Sequence, residues 1–118
     1  MSAEEYLLQI KESDRHIGEL VRLQSAMSGV PAPSERIARD RRLLEAQIAA
    51  AYEDNRVSRR RAQCLIDRLP DRGERQTLTL FYLKQMTADD AAHVLGMTPR
   101  QLYRVKKRAL MHLDGLCL

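Results

Sequence analysis

The chain has 118 residues, 44% of them hydrophobic and 31% charged, which excludes wholesale disorder and leaves room for one domain, or one domain with an extended appendage. One Phe, no Trp, five Gly and four Pro are poor material for a sheet, whereas Ala, Leu, Arg, Gln and Glu favour helices, so the composition predicts an all-α fold. The net charge of +4 is uneven: residues 1–34 carry −2, and residues 35–69 and 70–118 carry +3 each, a balance suited to a nucleic-acid partner.

Residues 3–27 read as one helix. Ala3, Tyr6, Ile10, Ser13, Ile17, Leu20, Gln24 and Met27 fall at alternating steps of three and four, and Leu7 and Val21 widen the seam. The stretch SGVPAPS (28–34) breaks the pattern through Gly29, Pro31 and Pro33. A second helix starts after the N-cap Ser34 and runs to about Leu69, with a seam of Ile37, Leu44, Ile48, Ala51, Asn55, Ser58, Ala62, Leu65 and Leu69. Two seamed helices joined by a short loop predict a coiled-coil-like antiparallel hairpin over residues 1–69, serving dimerisation or partner contact.

Residues 70–118 predict three further helices. The third starts at Asp71, with Glu74 completing a capping box, and ends near Gln85. The fourth is short, capped by Thr87, with Asp89 and Asp90 in the first turn where the helix dipole favours acids, and Gly96 ends it. The fifth is capped by Thr98, takes Pro99 as its first residue and Gln101 as capping-box partner, and runs to about Leu113. Leu102, Val105, Ala109 and Leu113 face inward on it, leaving Arg100, Gln101, Tyr103, Arg104 and Lys107 outside.

A short helix, a tight glycine turn and a longer basic helix form a helix-turn-helix pattern. Arg and Gln at a helix N-terminus suit guanine and adenine edges in the major groove. Lys106, Lys107 and Arg108 lie further along, where phosphates are the expected contact, and Thr98 with the first backbone amides offers another phosphate site.

The segment RQTLTLFYLKQMTADDAAHVLGMTPRQLYRVKKRALMHL (75–113) resembles region 4 of sigma-70-type factors, in the frame L-x-x-x-Y, T-x-x-x-A-A-x-x-L-G and T-x-x-x-L-x-x-V-x-x-x-A-L-x-x-L. The preceding EEYLLQIKESDRHIGELVRLQSAM (4–27) is similar to the N-terminal hairpin of RinA-like late transcription regulators of phages and prophages. The resemblance implies sequence-specific binding of double-stranded DNA and transcription regulation, with DNA-facing residues at Thr98, Pro99, Arg100, Gln101, Tyr103, Arg104 and Arg108. Pro99 stands where sigma factors commonly carry a basic contact residue, and Ala88 replaces a Trp frequent in the phage regulators. No core-polymerase-binding segment of a full sigma factor can be placed.

Arg59, Arg60 and Arg61 read as a solvated face or an acidic-partner surface rather than a DNA site. Asn55 and Ser58 interrupt the apolar seam, where they would fix register or oligomeric state, or mark a stretch without a partner. His16, His93 and His112 are far apart and read as surface or edge residues. Cys64 reads as half-buried beside Leu65 and Cys117 as part of the tail; neither lies in a metal-like spacing, and no nucleophile–base pair is visible. The chain is therefore expected to be no enzyme, to hold no cofactor or metal, and to bind no small-molecule substrate. With no membrane-length apolar run and no basic-then-apolar leader, it is expected in the cytoplasm. RNA polymerase and a second copy of the chain are the further partners considered. The competing reading is a coiled-coil interaction module that reads little or no DNA, and exposed, unpaired Arg100, Gln101 and Arg104 would count against it. An RNA-binding antiterminator ranks below both, because exposed aromatics for base stacking are few.

Overall fold

The computed structural model describes residues 1–29 and 34–117, and all regular structure among them is helical: α1 (Ala3–Ser28), α2 (Glu35–Ile66), α3 (Arg72–Leu78), a π-helical segment (Thr79–Leu83), α4 (Ala88–Leu95) and α5 (Pro99–Cys117). The all-α expectation holds. Pro31 and Pro33, read as breakers, lie outside the described residues, as does the side chain of Cys117. No helix among the described residues is long and apolar enough to cross a membrane.

Several boundaries move for identifiable reasons. Ser34 caps α2 as expected, its Oγ accepting from Ile37 N at 3.3 Å. The helix stops at Ile66 rather than near Leu69, because the N–H groups of Arg68 and Leu69 turn back to the carbonyls of Leu65 and Ile66, a tightening common at helix ends. The third helix does not run unbroken to Gln85. After Leu78 it widens into the π segment, closed by Lys84 N donating to Thr79 O at 2.9 Å, and Gln85 adopts φ 54° beyond it. Leu78, Tyr82 and the adjacent Leu83 are all buried, a broader apolar arc than one α-helical stripe. Arg59 Nη1 donates to Leu83 O at 2.6 Å, so this arginine has a structural partner and is not part of a purely solvated face. Helix α5 continues past Leu113 to Cys117. Cys64 is exposed, not half-buried.

The chain forms two compact units, one of residues 1–11 with 58–118 and one of residues 12–57, so the boundary does not fall at 69/70. The physical reason is that the core around α3 to α5 is shared with residues from earlier in the chain. Leu78, Tyr82, Leu83, Ala109, Leu110 and Leu113 form one cluster with Ala3, Leu7 and Ile10 of α1 and Ala62, Ile66 and Leu69 from the α2 end. Asp114 Oδ1 accepts from Ala3 N at 2.6 Å, satisfying a free amide at the start of α1 and placing a carboxylate where the helix dipole favours it. A smaller cluster, Ala91, Ala92 and Leu102, joins α4 to α5.

In the unit of residues 12–57, Asn55 Nδ2 donates to Ser13 Oγ at 3.1 Å and to Asp14 Oδ1 at 2.7 Å, and Arg41 Nη2 donates to Met27 O at 2.6 Å. The two segments therefore run in opposite directions here. Ile17, Leu44 and Ile48 are its buried apolar side chains, and the buried Asn55 has a partner set that ties it to one register. The ion pairs Arg15–Glu12 and Arg56–Glu53 are well exposed, where such pairs contribute little.

Tyr82 carries a testable cost. It is 1% exposed, and its hydroxyl has no hydrogen-bond partner among the described residues. Burial, with a smaller contribution from the Glu4 charge, pushes its pKa up to about 12. The neutral phenol is thus favoured in the folded state. Its contribution is fully present below the unfolded value near 10 and falls by about 1.4 kcal/mol per pH unit as pH rises from about 10 to about 12. Tyr82→Phe is expected to gain about 1 kcal/mol at neutral pH by removing an unpaired hydroxyl. Urea denaturation of both proteins from neutral to alkaline pH checks it: the gap should widen above pH 10, and a parallel fall of the two curves would contradict the assignment.

Candidate nucleic-acid interface

The local signals of α4 and α5 translate into geometry. Thr87 Oγ1 accepts from Asp90 N at 3.1 Å and opens α4. Gly96 closes it at φ 66°, ψ 32°, a left-handed conformation for which glycine has no Cβ penalty. Gly96 N donates to His93 O and Met97 N to Ala92 O, the two bonds of a Schellman motif. After three linking residues α5 begins with a reciprocal capping box, in which Gln101 N donates to Thr98 Oγ1 at 3.2 Å and Thr98 N to Gln101 Oε1 at 2.9 Å. Buried Ala91 and Ala92 let α4 pack against Leu102 of α5.

The outer face of α5 separates the predicted residues into two groups. Arg100, Arg104 and Lys107, spaced by four and three, share one exposed stripe, and none makes an ion pair with an acid among the described residues. Tyr103 is exposed beside them. These four lie on the outer face of the helix, where helical spacing puts them.

The others have structural work. Gln101 is exposed, but its side-chain oxygen closes the capping box, so a bidentate adenine contact would have to share that oxygen. The same box uses the Thr98 amide and hydroxyl, which leaves less at this helix start for a phosphate. Arg108 has an intramolecular partner: its Nε donates to Glu74 Oε1 at 2.9 Å, and that carboxylate is 1% exposed, while the Arg108 side chain itself is 54% exposed. Lys106 lies over the Phe81 ring, 4.3 Å from its centroid, with the Tyr103 centroid at 5.3 Å.

Glu74 is the residue sequence reasoning placed wrongly. Asp71 does cap α3, accepting from Glu74 N at 3.0 Å, but the Glu74 side chain does not reach back to complete the box. It turns into the unit and meets α5, where His112 Nδ1 also lies 2.9 Å from both carboxylate oxygens, an arrangement requiring a hydrogen on Nδ1. His112 is exposed, as expected of a surface histidine, but it also partners a buried acid. Arg108 and His112 are four apart and so share a face of α5. That spacing was visible, but the acid across from them was not.

No family model matches the chain, and no curated protein or solved structure is found similar to it. The functional reading therefore rests on the α4–α5 geometry and the charges it presents. Among the described residues, no three His, Cys, Asp or Glu side chains gather as metal ligands would.

Proposed function

We propose that this chain is a sequence-specific double-stranded-DNA-binding regulator of transcription that lays α5 in the major groove. The observation that carries the reading is the Arg100, Arg104 and Lys107 stripe: three exposed cations on a helix set by a capped turn, with no ion pair to an acid among the described residues. A surface of this kind fits a polyanion, and Arg is the side chain that reads guanine bidentately. Arg100 and Arg104 take the base-reading role, and Lys107 and Tyr103 approach phosphates. The resemblance to sigma region 4 and to phage late regulators supports promoter-proximal sites in phage or prophage genes and a cytoplasmic setting. RNA polymerase and a second copy of the chain are proposed as partners of residues 12–57, whose exposed Leu23, Leu43 and Tyr52 offer apolar contacts. The alternative, a protein-interaction module reading little DNA, is disfavoured by the unpaired Arg100 and Arg104.

Selection from a random duplex library, with the wild type beside Arg100→Ala/Arg104→Ala, tests it. The wild type is expected to enrich one motif, and the variant to lose about 1–3 kcal/mol of discrimination per lost contact at those positions. Absence of any enriched motif would sink sequence-specific reading.

A further inference from the structure

Outside the α5 stripe, the unit of residues 1–11 and 58–118 gathers a second set of cations on one aromatic ring. Phe81 packs edge-on against the buried Tyr82, with centroids 5.0 Å apart and planes at 77°, which holds its partly buried ring against the core. Lys106 Nζ lies 4.3 Å from the Phe81 centroid and Lys11 Nζ 5.0 Å from it. The two ammonium groups are therefore within about one Debye length of each other at 0.1 M salt, close enough to repel. Neither pairs with a carboxylate among the described residues. Glu4, on the same side of α1, is seven residues from Lys11, about 10 Å along the helix.

Two like charges held on one ring without a counter-charge form a site for an anion that the chain does not itself supply. The patch is continuous with the reading stripe. Tyr103 lies between them, exposed and next to Arg104, and Lys106 approaches its ring as well as that of Phe81. The ring platform also restrains two flexible lysine side chains, so less conformational freedom is lost when they meet a ligand.

Resting on the DNA-binding reading above, we infer that Lys11 and Lys106 on Phe81, with Tyr103, are a phosphate-binding extension of the α5 surface that holds the DNA backbone beside the bases read by Arg100 and Arg104. The N-terminal segment is thereby part of the DNA-contacting surface and not solely a partner-binding element. Its contacts are to phosphodiesters, so they add affinity and orientation without sequence preference.

The test is the salt dependence of binding of the full chain to a short fluorescent duplex, for the wild type, Lys11→Gln, Lys11→Arg and Arg100→Ala/Arg104→Ala, with thermal melting of each. Lys11→Gln is expected to weaken binding equally for motif and scrambled duplexes. It should flatten the log K against log [salt] slope by about 0.9, so that affinity falls about 3.5-fold less between about 50 and about 200 mM salt. Lys11→Arg is expected to keep the wild-type slope, and the melting temperature of Lys11→Gln should be unchanged or raised, since a repulsion has been removed. An unchanged slope in Lys11→Gln, while Arg100→Ala/Arg104→Ala still loses motif preference, would overturn this inference and leave the DNA-reading role of α5 intact. A flattened slope accompanied by a lower melting temperature would overturn it too, by making Lys11 a structural residue. No duplex binding by the wild type would overturn both readings.

Discussion

A polypeptide of residues 70–118 is expected to remain largely unfolded, although it contains every element of the α4–α5 arrangement. Its core is completed by Ala3, Leu7 and Ile10 from one end of the sequence and by Ala62, Ile66 and Leu69 from α2. Burial of a Leu or Ile side chain contributes about 1.5–3 kcal/mol, so loss of the four large ones removes on the order of 6–12 kcal/mol. That is comparable to the whole stability of a typical small domain, about 5–15 kcal/mol. In the full chain, Leu7→Ala alone is expected to cost about 2.7–5 kcal/mol, because Leu7 is fully buried and its neighbours come from several helices. Far-ultraviolet circular dichroism with thermal melting checks both. A cooperative transition in the 70–118 fragment would mean that α3 to α5 close their own core.

The second large effect centres on Glu74. Arg108→Ala/His112→Ala is expected to destabilise the chain by about 3–5 kcal/mol, because it strands a carboxylate that is only 1% exposed. Arg108→Ala alone should cost less, about 1–3 kcal/mol: His112 still reaches both oxygens, and the Arg108 side chain is itself 54% exposed, so part of its interaction is screened. Glu74→Leu should cost less than the double variant, since the arginine and histidine it releases can turn to water. Urea denaturation of the three proteins measures the order. If the double variant were as stable as Glu74→Leu, the carboxylate would not depend on its α5 partners.

The local punctuation of this sequence was legible, and its long-range partnerships were not. Asp71, Thr87, Gly96, Thr98 and Gln101 each announce a helix end through chemistry confined to a few residues, and each is found in that role. The inward Leu102, Ala109 and Leu113 follow equally from helical spacing. Glu74 shows where such reading stops. The capping-box pattern assigns it a bond three residues away, but its partners lie 34 and 38 residues on, and the carboxylate is buried beneath them instead. Lys11 on Phe81 and Arg59 on the Leu83 carbonyl are of the same kind. The π segment was hidden for a different reason. Thr79 to Leu83 carries no local signal that separates a π turn from an α turn, and Leu78, Tyr82 and Leu83 are buried together where the wider turn occurs. For the candidate interface, exposure of Arg100, Arg104 and Lys107 could be foreseen from periodicity, whereas the diversion of Arg108 to Glu74 could not.

The hydrogen bond from Ala3 to Asp114 spans 111 positions of the sequence. A ribosome adding roughly 5–20 residues per second leaves roughly 5–20 s between the synthesis of these two residues. Residues 12–57 find their partners within that stretch and can pair early, but the cluster that covers Ala3, Leu7 and Ile10 is complete only once Ala109, Leu110 and Leu113 of α5 have emerged. Closing so long a loop makes this the slow step of folding. A message cut short within α5 would therefore yield a chain that lacks more than its last turns. It would never assemble the core that supports the surface on which Arg100 and Arg104 stand.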